Sequence, residues 1–171
     1  FAVYSTFLQR GFDQIIHDVC MQELSVVFAI DRAGLVGNDG ETHQGVFDIS
    51  YLSMIPNITV LAPKCPEEIE AFLTYAFFLS KPVAIRYPRG STNYQFEPLK
   101  EIRMNHWDIL ADGKDIALIA VGNMCSIAMQ VKEELEKNHI YPMVVQATFI
   151  KPLDIKMLKE LAKQNYKIVT L

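Results

Sequence analysis

The feature of this sequence that most constrains its fold is a regular alternation of short apolar runs with longer segments of helical periodicity. The chain has 171 residues, 50% of them apolar, so it can bury a sizeable core. Buried strands separated by amphipathic helices are typical of parallel sheets whose faces are covered by helices. The sequence therefore predicts an α/β fold made of two consecutive parallel-sheet units.

The predicted elements follow from this alternation. Strands are expected at residues 1–4, 26–30, 59–62, 83–87, 115–121, 143–147 and 167–171. Helices are expected from residue 5 or 6 to about 23, and at 49–55, 66–79, 126–138 and 154–164. After the fourth strand the periodicity fails in a stretch rich in Gly, Ser, Asn and Pro, which indicates a surface linker. We expect one unit at residues 1–90, a linker at 91–112 and a second unit at 113–171.

Charge, hydropathy and cysteine spacing exclude several classes of protein. The net charge of −4, without a clustered basic face, argues against a nucleic-acid partner. No apolar run could span a bilayer and no leader opens the chain, so no membrane partner is expected. Cys20, Cys65 and Cys125 are odd in number and widely spaced, which favours a reducing cytoplasm over a disulfide framework or zinc site. The chain also contains no dinucleotide fingerprint and no P-loop.

The two ends of the chain resemble strands that are interrupted within the element. The first residue is Phe1 rather than an initiator Met, and the last is Leu171. Domains usually close with polar tails, which are absent at both ends. We therefore expect a fragment in which both α/β units are incomplete.

The loop of residues 31–45 carries most of the candidate chemistry. It holds four glycines, three acids, Arg32 and His43 directly after a buried strand. Ligands of open α/β sheets bind beyond the carboxyl ends of strands, and a histidine can transfer protons near neutral pH. The alternative is an ordinary polar loop with a turn at residues 38–40.

Two other strand ends should face the same edge of the sheet. Tyr4 and Phe7 could stack on a flat heterocycle, and Arg10 could meet an anion. Arg86 and Arg89 leave the fourth strand and could bind a phosphate or carboxylate. In the alternative interpretation Phe7 is a core residue and Arg86 pairs with a nearby acid.

Four segments resemble the 1-deoxy-D-xylulose-5-phosphate synthase family of transketolase-like, thiamine-diphosphate enzymes. They are Tyr-Ser-Thr-Phe-Leu-Gln-Arg-Gly-Phe-Asp-Gln at 4–14, the loop at 30–45, Arg-Tyr-Pro-Arg-Gly at 86–90, and Phe-Ile-Lys-Pro-Leu-Asp at 149–154. The Asp-Gly-Glu-Thr-His core of the loop is similar to transketolases generally. The preceding Asp-Arg-Ala-Gly and the following Gly-Val-Phe-Asp are similar to the synthases. The resemblance covers essentially the whole chain.

This resemblance implies a domain assignment and a reaction. Residues 1–90 would be the carboxy-terminal part of a pyrimidine-binding domain, and residues 113–171 the beginning of a transketolase carboxy-terminal domain. The implied reaction joins pyruvate to D-glyceraldehyde 3-phosphate with loss of CO₂, in a cytoplasmic bacterial homodimer. Thiamine diphosphate and Mg²⁺ are the implied cofactors, and their diphosphate and metal sites would lie outside this chain. The glutamate that activates the cofactor would lie upstream of Phe1, so the chain alone is expected to be inactive.

The resemblance also implies roles for individual residues. His43 matches the group that transfers a proton or stabilises an oxyanion, and Tyr4 and Asp39 match groups that orient the substrates. The residues implied in binding are Phe7, stacked on the aminopyrimidine, Arg10 at the cofactor, and Arg32 and Arg89 at the triose phosphate.

Two alternatives remain at this point. The chain could belong to another transketolase-like enzyme, such as a transketolase or the β subunit of a 2-oxoacid dehydrogenase. It could also be a non-catalytic module that mediates dimer or partner contacts. The presence of His43 together with Arg32 and Arg89 favours an enzyme over such a module.

Overall fold

The computed structural model describes residues 1–90, 94–164 and 166–171, which form two sheets with helices packed on them. Residues 91–93, the start of the predicted linker, lie outside the described residues. The strands are β1 (Ala2–Tyr4), β2 (Val27–Asp31), β3 (Thr59–Leu61), β4 (Val83–Arg86), β5 (Asp108–Ala111), β6 (Ile116–Ala120), β7 (Met143–Gln146), β8 (Phe149–Lys151) and β9 (Lys167–Thr170). The α-helices are α1 (Ser5–Leu8), α2 (Phe12–Gln14), α3 (Asp48–Met54), α4 (Ile69–Leu79), α5 (Met124–Glu136) and α6 (Ile155–Lys163).

The first sheet has the strand order β1-β2-β4-β3-β8, and its first four strands are parallel. β4 lies in the middle, and all of its residues are buried. This burial on both faces explains why the strand is a continuous apolar run up to Arg86. The guanidinium of Arg86 is nevertheless satisfied, because its Nε donates to Oδ2 of the buried Asp48 at 2.9 Å.

The second sheet has the order β5-β7-β6-β9, in which β7, β6 and β9 are parallel. β7 is buried throughout, whereas β9 forms an exposed edge. The expected α/β class is therefore confirmed. The sheets differ from the expectation in being mixed, because each has one antiparallel edge strand, β8 and β5.

Those two antiparallel strands connect the units. β8 lies in the second half of the chain but pairs with β3 of the first sheet, where Phe149 is fully buried. β5 lies within the predicted linker, and the preceding Trp107 is buried. The Trp107 indole N–H donates to the Phe149 carbonyl at 2.8 Å, and its backbone N–H donates to Asp154 at 3.0 Å. The predicted surface linker thus contributes a buried side chain, Trp107, that is hydrogen-bonded to the second half of the chain.

A buried polar cluster also joins the two halves. Glu68 is fully buried and forms an ion pair with Lys64, whose side chain is buried as well. The Gln146 side chain on β7 donates to Glu68 at 3.0 Å, and the backbone N–H of Leu99 donates to it at 3.1 Å. A carboxylate removed from water is tolerated only with such partners.

The helix expected at about 5–23 is irregular. α1 is followed by a 3-10 turn (Gln9–Gly11), then α2, and then a π-helix (Ile15–Cys20) that ends the helical segment. The other helices begin and end within a few residues of the expected bounds. In the part of the chain that the structure describes, no helix is both long and apolar enough to cross a membrane.

Candidate active site

The candidate residues lie where the parallel strands of the first sheet end. Tyr4 ends β1 and is paired in register with Asp31, which ends β2. Arg32 follows directly, and Arg89 follows β4 on the same edge. Parallel strands bring their carboxyl ends together, so distant parts of the sequence meet there.

The loop of residues 31–45 is closed at its base by a two-way backbone pair between Gly34 and Gly45, with N–H to oxygen distances of 2.7 and 2.9 Å. Between them lie two 3-10 turns, Gly37–Asp39 and Glu41–His43, separated by Gly40 with a φ of 83°. Residues with side chains rarely adopt this φ. The turns therefore present Asp39 and His43 from one compact loop.

Gly45 also allows the loop to press against the first helix. A Cβ at this position would lie 2.2 Å from the Arg32 carbonyl oxygen and 2.6 Å from the Ser5 Cβ. The Thr6 hydroxyl adds a hydrogen bond to the Thr42 carbonyl at 3.0 Å. These contacts fix the loop beside α1 and its aromatic residues.

Four charged residues, Asp31, Arg32, Asp39 and Arg89, form a network across the site. The Arg32 Nε donates to Oδ2 of Asp39 at 2.6 Å, and Arg89 forms an ion pair with Oδ1 of the same carboxylate. Arg32 has a φ of 57°, and its backbone N–H donates to Asp31 at 2.6 Å. The hydrogen bond from Arg32 lowers the pKa of Asp39, helped by the charges of Arg89 and His43 and opposed by desolvation. Asp39 is therefore held as a carboxylate between two guanidiniums.

Aromatic rings line the neighbouring part of the site. Tyr4 and Phe7 are stacked with centroids 5.7 Å apart, and Phe7 meets His43 edge-on at 5.3 Å. The Arg32 guanidinium lies 3.9 Å from the centroid of the Tyr4 ring. Phe7 remains 41% exposed, so it is not the core residue of the alternative interpretation. Its ring can accept a ligand.

His43 has one ring nitrogen near a local partner. Nδ1 lies 3.0 Å from the Thr42 hydroxyl oxygen. Among the residues that the structure describes, Nε2 has no hydrogen-bond partner. A hydroxyl contact on one nitrogen can fix the ring orientation, which leaves the other nitrogen for proton exchange with a ligand.

Two cavities border these residues. One of about 560 Å³ is lined by Arg32, Arg89, Lys64 and Tyr87, with Asn123 contributed by the second half of the chain. The other, of about 380 Å³, is largely apolar and is lined by residues that include Phe1, Phe7 and Phe28. A larger cavity of about 670 Å³ lies between α4 and residues 98–102, away from every candidate residue. The first two are the relevant ones, because they adjoin the charged network and the exposed aromatic ring.

The structure brings most of the candidate residues together, namely Tyr4, Phe7, Arg32, Asp39, His43 and Arg89. Arg10 is exposed on the 3-10 turn and forms no hydrogen bond or ion pair with a described residue. Arg86 is buried and forms an ion pair with Asp48. For this arginine the alternative interpretation, pairing with a nearby acid, is therefore the correct one.

Two residues of the cluster had no role in the sequence interpretation. Asp31 contacts the guanidinium and backbone of Arg32, and Gln44 bonds inside the loop. The position of Asp31 at the end of a buried strand is a signal that could have identified it. Gln44 stands beside His43, but nothing in the sequence pattern shows that its side chain turns inward.

Two models of protein domains match the two halves of the chain. The profile described as transketolase, pyrimidine binding domain, matches residues 1–95, and the one described as transketolase, C-terminal domain, matches residues 105–171. The chain therefore belongs to the transketolase family.

Within that family the chain is similar to 1-deoxy-D-xylulose-5-phosphate synthases, as the motifs predicted. It is 57% identical over 173 residues to the enzyme of that name from Clostridium acetobutylicum. It is 56% identical over 172 residues to the one from Clostridium botulinum strain Eklund 17B. Each alignment covers 100% of this chain and 28% of the relative, so the chain spans a little over a quarter of the length of these proteins.

A solved structure described as a split-gene transketolase, inactive β4 tetramer, has the same fold. It superimposes with a TM-score of 0.90 and 28% identity, covering 99% of this chain and 55% of that chain. The fold of the two sheets is therefore that of a transketolase.

Proposed function

We propose that this chain forms the substrate-facing wall of a 1-deoxy-D-xylulose-5-phosphate synthase, which joins pyruvate to D-glyceraldehyde 3-phosphate with loss of CO₂. The observation that carries the proposal is the meeting of Arg32 and Arg89 on one carboxylate, beside His43 and the exposed ring of Phe7. This arrangement combines an anion site, a proton-transfer group and an aromatic platform. The similarity to synthases over the whole chain supports the same reaction.

In this proposal Arg32 and Arg89 bind the phosphate of the triose. Two guanidiniums suit a dianion because each can donate two parallel hydrogen bonds to its oxygens. The side chains already converge on the two oxygens of Asp39. Arg89 is 46% exposed and Arg32 19%, so Arg89 would meet the incoming substrate first.

His43 is proposed to move the proton at the aldehyde oxygen of the triose. Carbon–carbon bond formation turns that oxygen into an alkoxide, which needs a proton or a hydrogen-bond donor. Nε2 of His43 is available for it, whereas Nδ1 faces Thr42. Tyr4 and Asp39 would orient the substrates, Asp39 by fixing the two arginines.

Thiamine diphosphate would supply the decarboxylation chemistry when it is bound. The residues of this chain fit its aminopyrimidine, because the exposed Phe7 ring borders the apolar cavity that contains Phe1 and Phe28. Arg10 lies one helical turn beyond Phe7 and would face the cofactor. In the described part of the chain, no group of three or more His, Cys, Asp or Glu residues could hold a metal ion. The Mg²⁺ and diphosphate would be held by other parts of the intact protein.

We further propose the domain arrangement and assembly implied by the sequence. Residues 1–90 would be the latter part of a pyrimidine-binding domain, and residues 113–171 the beginning of the carboxy-terminal domain.

The intact protein would be a homodimer in the bacterial cytoplasm. Support for association comes from an outer face of α4 on which Leu73, Phe77 and Phe78 are 44%, 74% and 79% exposed. The clostridial relatives and three unpaired cysteines support the location.

The test is turnover by the intact polypeptide that carries this chain. With thiamine diphosphate and Mg²⁺, it should release CO₂ from pyruvate only when glyceraldehyde 3-phosphate is also supplied. Sugar-phosphate donors or a lipoyl acceptor used in place of pyruvate and triose would instead indicate a transketolase or a 2-oxoacid dehydrogenase subunit. No turnover of any of these would indicate a non-catalytic dimerisation module. The 171-residue chain alone should be inactive, and clear activity from it would contradict the proposed division of the site.

A further inference from the structure

Gln44 has no part in the proposed chemistry, but its side chain spans the interior of the loop that carries Asp39 and His43. Its Oε1 accepts a hydrogen bond from the Val36 backbone N–H at 2.7 Å. Its Nε2 donates to the Val36 carbonyl at 3.1 Å and to the Gly40 carbonyl at 2.9 Å. One carboxamide thus bridges two backbone segments of the loop.

The same two carbonyl oxygens begin the turns on which the candidate residues are carried. The Asp39 backbone N–H donates to the Val36 carbonyl at 3.2 Å, and the His43 backbone N–H donates to the Gly40 carbonyl at 3.3 Å. Both bonds are longer than the usual distance of about 2.9–3.0 Å. Each turn is therefore weakly held by its own backbone bond, and the amide of Gln44 supports the acceptor of both.

The loop is also held by the ion pairs of Asp39, by Thr6 and by the buried Val36, but part of it is exposed. Leu35 is 83% exposed, and Gly37 and Asn38 are also exposed. Loops with little buried apolar surface open at low free-energy cost unless polar contacts fix them. The Gly34–Gly45 pair closes the base of the loop, and the Gln44 side chain bridges backbone groups in its interior.

We propose that Gln44 is a positioning residue for the reaction: it holds Asp39 against the arginines and His43 beside Phe7 without touching the substrate. The proposal rests on the proposed function of the site. The role requires one acceptor and two donors on a planar group, which the glutamine side chain provides. A glutamate of the same shape would retain the acceptor, lose both donors and put a negative charge beside two carbonyl oxygens.

The experiment compares Gln44→Glu and Gln44→Met with the wild type in the intact polypeptide that carries this chain. The matched control is Gln22→Glu, because the exposed Gln22 also donates to two backbone carbonyls, those of His17 and Asp18 at 3.3 Å, away from the site. Misplacing catalytic groups costs about tenfold to a hundredfold in rate, so both Gln44 variants should lose at least about tenfold in kcat/KM. The control should stay within about twofold of the wild type. Gln44 variants that also stay within about twofold would overturn the proposal.

A double-mutant cycle separates positioning from a general structural role. Because Gln44 acts in part through His43, Gln44→Glu should cost less activity in a protein that already carries His43→Asn than in the wild type, where its effects through Asp39 and His43 are both lost. An equal loss in both backgrounds would contradict the proposal.

Hydrogen–deuterium exchange distinguishes failure of this inference from failure of the proposed function. Gln44→Glu should speed exchange at the Asp39 and His43 amides and leave β2 and β4 unchanged. This measurement does not depend on turnover. If the wild type did not convert pyruvate and triose phosphate, that result would reject the proposed reaction but not the positioning role. Unchanged exchange at both amides, or loss of tertiary structure in both Gln44 variants, would overturn the positioning role.

Discussion

The Nε of Arg32 donates to Oδ2 of Asp39 at 2.6 Å, although the two residues are seven positions apart in the same loop. Arg89 approaches the other oxygen of that carboxylate from the end of β4. Asp39 therefore offsets the repulsion between the two guanidiniums and holds both of them beside the same carboxylate. The proposed anion site therefore depends on the Asp39 carboxylate as much as on the two guanidiniums.

Replacing Asp39 with Asn should disorganise both arginines at once. Both arginines lose a charge-assisted hydrogen bond, so kcat/KM for the condensation should fall by about tenfold to a hundredfold. The measurement is initial-rate kinetics of the intact polypeptide. Asp112→Asn is the control, since Asp112 is exposed and outside the network. A loss of similar size in the control would argue against a specific effect.

The Asp39 carboxylate should also make the stability of the protein depend on pH. Its pKa is lowered in the folded state, chiefly by the hydrogen bond from Arg32, so its contribution is fully present above the unfolded carboxyl pKa of about 3.9. The contribution should disappear as pH falls through the lower folded pKa. Denaturant titrations at neutral and acid pH should show the difference between wild type and Asp39→Asn shrinking towards acid. A difference that grows towards acid would refute this sign.

Arg89→Gln should impair recognition of the phosphate specifically. We expect KM for glyceraldehyde 3-phosphate to rise by about tenfold to a hundredfold and KM for pyruvate to change by less than about twofold. The variant should also lose most of its preference for the phosphorylated over the unphosphorylated aldehyde. Arg103→Gln is the control, because this exposed arginine pairs only with Asp108 among the described acids. An equal rise in both KM values would place Arg89 outside the phosphate site.

Asp154 should be a major contributor to stability where the two halves meet. Its carboxylate is buried, caps α6 by accepting from the Met157 backbone N–H at 2.8 Å, and accepts from Trp107 at 3.0 Å. Asp154→Ala loses a helix cap worth about 1 kcal/mol and leaves a buried N–H unsatisfied, for a total loss of about 2–4 kcal/mol. Asp154→Ser restores the cap alone and should fall between Ala and wild type. Chemical denaturation measures both, and equal losses for the two variants would contradict the double role.

The exposed aromatic residues of α4 should stabilise the proposed homodimer of the intact protein. Phe77→Ser combined with Phe78→Ser should shift the intact polypeptide towards monomer, because burial of each ring on association is worth about 1.5–3 kcal/mol. Sedimentation at several concentrations measures the shift. Met104→Ser removes a comparably exposed apolar residue elsewhere and should leave the association unchanged. A dimer that is insensitive to both α4 substitutions would assign the interface to another surface.

Much of the fold could be predicted because local patterns determine it. The buried run at β4 and the helical period of α4 each contain enough residues to be recognised. β5 and β8 could not be predicted in this way. β8 has three residues, and its stability comes from pairing with β3 far away in the sequence. β1 and β3 are equally short but alternate with helices, whereas β8 follows β7 with no helix between them, so the alternation does not reveal it.

In the candidate site, too, the sequence predicted which strand ends meet but not which side chains pair. Strand ends at one edge of a parallel sheet indicated that Tyr4, Arg32 and Arg89 would meet. Which acid pairs with which arginine depends on side-chain directions that no spacing encodes. Asp48 with Arg86 and Asp39 with Arg89 are such pairs. The inward turn of the Gln44 side chain is a third example.

The insertion of β8 beside β3 has a consequence for synthesis of the protein. During translation the first four strands emerge before residues 149–151, so the outer edge of β3 stays unpaired until the later segment leaves the ribosome. Until then, the nascent chain carries an open template for pairing with another chain. The time during which the nascent chain can pair with another chain is therefore the time needed to translate the residues between β4 and β8. Slower translation of these residues should increase aggregation.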